Sequence, residues 1–493
     1  MKKFSFQKFI AVSVAVLLVA LVTPLSVLAA PVPYVCYNYD YRENLVYTPA
    51  PYEPDRAITT DLMEFNGELV GALKEPKDIC KAPDGRVFVA DTGNNRIVIF
   101  DEQITKVIGI LESFNDGNKD QKFKSPTGVC VSTINRLYVA DSKNKRIVVF
   151  DENFEFIKYI DNPESEVLEE GFVFTPLKVS VDYAERVYCI ANNQFEGIMV
   201  FDTDGKFTGF FGTIEVKISN WDKFWKRIAS KAERSKQRLY IPTEFTGMDI
   251  DSAGFVYASN IDSDGKQGVR RLNPKGEDVI KKGENGNVGG DLRTDGVGNY
   301  AGASQFVDVV YRDNGIYSCL DRLRGRIFTY DHEGNLLYIF GGLGTQEGTF
   351  QMPAAIESLG DRVVVLDNTR NSIFIFKETE YGNLINEAVA LRYDGDEKLA
   401  VDVWKRVLEL DENNELANTG IGKAYLTGGD YKNAMKYLRL GMNRTYYSIA
   451  FRRYRNNILK QNIGYVLTVL LVLIIGLVVF LRVKKKKGVA KHA

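Results

Sequence analysis

Two histidines, five cysteines and a recurring aspartate are the residues of this 493-residue chain with most chemistry to offer. His492 stands in a lysine-rich terminus and His332 in the turn "DHEGN", so a three-histidine zinc or acid–base site has no material. The cysteines (Cys36, Cys80, Cys130, Cys189, Cys319) are odd in number, which rules out a complete disulfide set. Cys80 and Cys130 lie at the same place in two similar segments and are expected as small apolar core residues, not as a redox pair. There is no Gly-x-Ser-x-Gly elbow, no phosphate loop and no zinc-ligand spacing. The aspartate is different, because its setting repeats: "VADTGNNRIVIFD" at 89–101 returns as "VADSKNKRIVVFD" at 139–151.

A catalytic motif is usually written once, whereas a unit that stacks on copies of itself is written many times. The marker recurs as Asp91, Asp141, Ala191, Asn260, Asp321 and Asp367, with spacings of 50, 50, 69, 61 and 46. An apolar strand precedes each copy, often opened by proline ("PKDIC", "PTGVC", "PLKVS"), and another follows ("RIVIFD", "RIVVFD", "RIFTYD"). Alternation of period two, broken by Gly, Asn and Asp, means antiparallel strands joined by tight turns. Six such units without helical periodicity between them predict an all-β six-bladed propeller over 74–380. Within each unit Asp91, Asp141 and Asp321 can be met by Arg96, Arg146 and Arg326, five residues on, as hairpin fasteners. The alternative, a ring of acidic ligands, leaves the repetition unexplained.

The pattern P-x-G-V…V-A-D-x-x-N-x-R-I resembles the NHL repeat over about 74–377. Units one and two fit closely, whereas Ala191, Asn260 and Ser372 depart from it. Three tryptophans and two histidines are too few for WD40 blades. The resemblance implies a recognition scaffold without a catalytic residue or cofactor. A competing resemblance, to gluconolactonase-like propellers, implies a calcium ion in the central channel; the innermost-strand candidates are Asp78, Asp249, Asp308 and Glu357. Lys178, at the place equivalent to Asp78 and Asp308, opposes a cation there.

The ends set the compartment. Residues 1–29, with Lys2, Lys3 and Lys8 before an apolar run ending "SVLAA", read as a signal peptide. Residues 30–73 hold a strand at 63–73 ("MEFNGELVGAL") expected to complete blade six. Residues 381–460 change to helical period. "YDGDEKLAVDVWKRVLELDENN" aligns with "TGGDYKNAMKYLRLGMN" at a shift of 34, resembling two tetratricopeptide-type units, either a peptide groove or a spacer. Residues 462–482 contain eighteen uncharged residues, 464–481, enough to span a bilayer, and the basic tail 483–493 places that end in the cytoplasm. Residues 31–481 carry 54 basic against 64 acidic side chains, which gives no reason to expect nucleic acid as a partner.

One insertion interrupts the repeats. In "ISNWDKFWKRIASKAERSKQRLY" (218–240), Trp221, Phe224, Trp225 and Ile228 share one face of a predicted helix, and Lys226 and Arg227 belong to its basic remainder. A basic amphipathic helix with aromatics suits a partner protein or an anionic lipid surface, or else packs over the ring. The chain thus reads as a bacterial, single-pass membrane protein with an extracytoplasmic propeller. Its expected partner is a membrane protein or transporter subunit, with a carbohydrate or peptide as ligand. Similar bacterial proteins suggest the service of an ABC-type carbohydrate permease.

Overall fold

The computed structural model describes residues 32–168, 171–213, 244–262, 268–283, 288–292 and 302–489. The segment read as a signal peptide and the insertion with Trp221, Phe224, Trp225, Lys226 and Arg227 lie outside the described residues. Six antiparallel sheets form the blades of a propeller. Their innermost strands are Asp78–Lys81, Pro126–Val131, Pro176–Val181, Phe245–Ile250, Phe306–Tyr311 and Pro353–Leu359. The second strands end on the repeat marker, as Val87–Asp91 does in blade one and Leu137–Asp141 in blade two.

Alternation builds the core. Every second residue of a strand faces the next blade, so Phe88, Ile97 and Ile99 of blade one bury against Val129, Leu137 and Val139 of blade two. The same arrangement recurs between blades two and three. Each blade covers a face that its neighbour cannot bury alone, which is why the unit has to repeat.

The ring is closed by a strand from the N-terminal segment, Tyr52–Ile58, paired antiparallel with Ser372–Glu378. The expected strand 63–73 does not serve. Asn66 and Gly67, at φ 53° and 81°, turn it back on itself as the small hairpin Glu64–Phe65/Glu68–Leu69. Tyr52–Ile58 contains Pro54, which cannot donate to a ladder and is tolerated because this strand is an edge.

Two blades depart from four strands. Blade four has three among the described residues, the last being Val269–Leu272; beyond it only an isolated bridge joins Leu272 to Asp278, because "EDVIKKG" lacks apolar alternation. Blade five has six, since the hairpin Tyr37–Tyr39/Leu45–Tyr47 adds to the outer edge of Leu336–Phe340. Buried Asp291 holds that hairpin, accepting from the hydroxyls of Tyr37 and Tyr39 and pairing with Arg326 at 2.5 Å.

Five helices follow among the described residues: α1 (Glu380–Tyr393), α2 (Glu397–Leu410), α3 (Glu415–Thr427), α4 (Tyr431–Leu440) and α5 (Arg444–Val489). Side chains cap four of them, with Thr379, Asn414, Asp430 and Asn443 accepting from Gly382, Ala417, Asn433 and Tyr446 amides. Small residues sit where helices cross, including buried Ala388, Ala400 and Ala434 and Gly422 against Leu438. Tyr381, Leu384 and Ile385 share one apolar core with Tyr338, Phe340 and Phe376 of blades five and six. The helices are therefore docked on the ring. Glu333, in a turn of blade five, clamps the joint by pairing with Arg392 (2.9 Å) and Lys423 (3.1 Å).

Strand alternation also sorts the loops onto two faces. Turns between first and second, and third and fourth, strands share one face; second-to-third turns and blade-to-blade connections share the other. Helix α1 leaves the third strand of blade six, and Tyr393 packs on Gly315 and His332, both in turns of the first face. The helical region thus sits on one face, against blades five and six, and the long connections open on the opposite one.

Candidate functional site: the central channel

The six innermost strands present an unpaired edge to the axis, and buried backbone N–H groups on such an edge need acceptors. The side chains that supply them stand in two tiers. The outer tier, fixed by register opposite Ala90, Ala140, Ile190, Ser259, Leu320 and Leu366, holds Asp78, Gly128, Lys178, Gly247, Asp308 and Ala355. Two residues along each strand, the next tier holds Cys80, Cys130, Ser180, Asp249, Val310 and Glu357. Between them lies a cavity of about 50 Å³. Glycine is required in the outer tier: a Cβ on Gly128 would meet the Leu177 carbonyl at 2.7 Å, and one on Gly247 would collide with Asp308.

The structure brings Asp78, Asp249, Asp308 and Glu357 together and gives all four one task. Each accepts the amide of the following blade's inner strand: Asp78 from Val129 (2.9 Å), Asp249 from Tyr311 (2.7 Å), Asp308 from Ile356 (3.0 Å), and Glu357 from Lys81 (3.0 Å). The Lys178 ammonium joins Asp78 at 2.5 Å and Asp308 at 3.3 Å across the channel. Where a calcium ion would need free carboxylate oxygens, the outer tier already contains a cation. Among the described residues no group of three or more His, Cys, Asp or Glu is arranged to hold a metal.

The charges respond to this setting. Burial works against the Lys178 ammonium, but Asp308 and Asp78 outweigh it and hold its pKa above the usual lysine value. Burial raises the Asp308 carboxyl to about 6, with Lys178 pulling it down and Asp78 pushing it up. Asp249 also rises to about 6, by burial, against the pull of the Tyr311 and Ile250 amides. Glu357 rises furthest, to about 8, through burial and the neighbouring Asp249 carboxylate. Near neutral pH the inner tier therefore retains a proton, and no further ammonium stands in it.

Cys80 and Cys130, expected as enclosed core residues, are instead half-buried and line the channel; the Cys80 thiol donates to the Lys81 carbonyl at 3.6 Å, and the neighbouring Cys130 thiol and burial raise its pKa. All five cysteines are free thiols. His332 lies far out in blade five, edge-on to Tyr393 at 5.1 Å, so it offers the channel nothing.

The repeat marker performs the fastening expected of it in blades one and two, where Arg96 reaches Asp91 at 2.7 Å and Arg146 reaches Asp141 at 3.1 Å. Asp91 also accepts from the Lys74 amide and the Asn94 side chain, and Asp141 from the Lys124 amide and Asn144. The left-handed turn residues are Asn95 and Lys145. Blade five departs: Arg326 turns to Asp291, and Asp321 is served by the Gln305 and Leu323 amides with Arg324 at 3.8 Å. Asp367 accepts from the amides of Gln351, Thr369 and Arg370. The hydroxyl after the aspartate was not read from the sequence as functional, yet Thr92 and Ser142 each donate to the first carbonyl of the next blade at 2.6 Å.

A family model of the NHL repeat matches residues 73–100 and 123–150. No curated protein matches the chain. Among solved structures, virginiamycin B lyase from Staphylococcus aureus aligns at 9% identity and TM-score 0.40, covering 66% of this chain and 99% of that one. A putative gluconolactonase aligns at 12% identity and TM-score 0.39, with coverages of 70% and 98%. A protein of unknown function from Bacteroides thetaiotaomicron aligns at 16% and 0.42, with coverages of 65% and 75%. Likeness at this level carries no statement about activity. The chain carries NHL repeats in a six-bladed β-propeller, followed by five helices of which the last is long and apolar enough to cross a membrane.

Proposed function

We propose that this protein is a non-catalytic recognition scaffold outside the cytoplasm, tethered by α5, whose ring binds a protein or carbohydrate partner at the membrane surface. The observation that supports the reading best is the division of labour between the two faces of the ring. On one face α1–α4 pack against blades five and six and lead into the apolar helix. The opposite face bears the connections, including the hairpin Ser113–Asn115/Asp120–Lys122 and the described residues Thr213 and Glu244, between which the sequence carries Trp221 and Trp225. Insertions between blades collect where a solenoid or propeller meets its partner. The channel adds a negative argument, since its carboxylates are engaged as clamps between blades. A membrane transporter subunit, such as a carbohydrate permease, is the class of partner that fits a tethered, outward-facing ring.

In-cell crosslinking of the tagged full-length chain, followed by detergent extraction, tests this. Recovery of a membrane transporter or solute-binding subunit, lost in W221A/W225A, is the expected result. Calcium-dependent hydrolysis of aldonolactones by the purified protein, with no partner recovered, would replace this reading with that of a sugar-lactone hydrolase.

A further inference from the structure

Helix α5 runs without interruption from Arg444 to Val489, and from Arg444 to Ala493 the chain contains no Asp or Glu. Its first turns are held by the body: Ala450 is buried, and Arg444 lies 5.1 Å from the ring of Tyr41. Past Ala450 the helix is free. Arg452, Arg453, Arg455 and Lys460 are all exposed, and none makes an ion pair among the described residues. At about 100° per residue, the four fall within an arc of about 160°. Phe451, Tyr454 and Ile458 occupy the other side.

Their height matters as much as their side. With a rise of about 1.5 Å per residue, Lys460 and Arg455 stand about 6 and 14 Å before Gly464, where the apolar run 464–481 begins. A headgroup layer is about 5–8 Å deep on each side of the hydrocarbon, so Lys460 is in it and Arg455 stands about 6–9 Å above it, within about a Debye length of its charge. Arg452 and Arg453 sit one turn further out. On the outward side of a spanning helix, cations run against the usual bias. Among the described residues no carboxylate pairs with them. The fixed negative charge that lies at the right height is that of lipid phosphate.

We propose that Arg452, Arg453, Arg455 and Lys460 form a collar that binds anionic phospholipid headgroups at the outer surface of the membrane. The collar rests on the reading of α5 as a membrane-spanning tether with the ring outside. It orients the rigid helix and hence the height and tilt at which the ring is held, while the basic tail beyond Leu481 serves the opposite leaflet.

The full-length protein, reconstituted into nanodiscs of phosphatidylcholine alone or mixed equally with phosphatidylglycerol, tests this by native mass spectrometry of retained lipid. The wild type should retain phosphatidylglycerol in preference to phosphatidylcholine, and R452Q/R453Q/R455Q/K460Q should lose about tenfold or more of that preference. The control K484Q/K485Q/K486Q/K487Q should keep part of it. Undiminished preference in the collar variant, or its complete loss in the tail variant, overturns the collar. So does a wild type that enters both nanodiscs without preference. Failure to enter nanodiscs of either composition, with release by alkaline carbonate, instead overturns the spanning helix itself.

Discussion

The carboxylate of Glu357, in the last blade, accepts the backbone amide of Lys81, in the first, at 3.0 Å. This bond closes the ring at its axis, as the pairing of Tyr52–Ile58 with Ser372–Glu378 closes it at the rim. Removing the acceptor leaves a buried N–H unpaired, so Glu357→Ala should cost about 1–3 kcal/mol. Glu357→Gln keeps an acceptor and should cost less. Denaturant midpoints of the two variants check the order.

The same residue makes stability fall with alkali. The folded Glu357 carboxyl titrates near 8, above its ordinary value of 4.5, because burial and Asp249 favour the neutral form. A raised pKa contributes stability that is complete below about pH 4.5 and is lost as pH rises through about 8. The wild type should therefore weaken relative to Glu357→Gln between about pH 5 and 9, measured as a difference in Tm across that range.

Lys178 supports two carboxylates at once, Asp78 at 2.5 Å and Asp308 at 3.3 Å. Lys178→Met should cost about 3–5 kcal/mol, because it leaves buried negative charge without a partner. Adding Asp78→Asn and Asp308→Asn should recover a large part of that loss. Equal destabilisation in the single and triple variants would show that the ammonium acts through packing alone.

Arg96 and Arg326 occupy the same place in their repeats and do different work. Arg96→Met should loosen the turn after Asp91 and leave the N-terminal hairpin protected. Arg326→Met removes a partner of Asp291, which anchors Tyr37 and Tyr39, and should expose residues 32–50 to limited proteolysis at least several-fold faster.

The joint between ring and helices should open in acid. Burial raises the Glu333 carboxyl, but Arg392 and Lys423 outweigh it and bring it to about 2. A lowered pKa contributes stability that is present above the ordinary 4.5 and lost as pH falls toward 2. Protection of α1 and α3 against hydrogen exchange, taken relative to the intrinsic rate at each pH, should fall over that range in the wild type, and Glu333→Gln should remove most of that change.

The sequence by itself determined the repeat, because burial between like blades demands the same alternation and the same turn residues in every copy. It also determined the helical change after residue 380 and the apolar length of α5, which depend on composition along the chain alone. Local propensity was enough to place Asp91 and Arg96 in one hairpin, since five residues separate them. Tertiary structure decided every contact that alternation leaves open. Pro54 made Tyr52–Ile58 unattractive as a strand until an edge was available for it, while Asn66-Gly67 turned the more strand-like segment back on itself. Asp78, Asp249, Asp308 and Glu357 were visible as a set, but their spacing along the chain says nothing about which backbone amide each would meet. That depends on how far neighbouring inner strands are offset around the axis, and only closure of the ring sets the offset. Lys178 then lies a hundred residues from Asp78 in the chain and 2.5 Å from it in space, where two carboxylates compensate its burial.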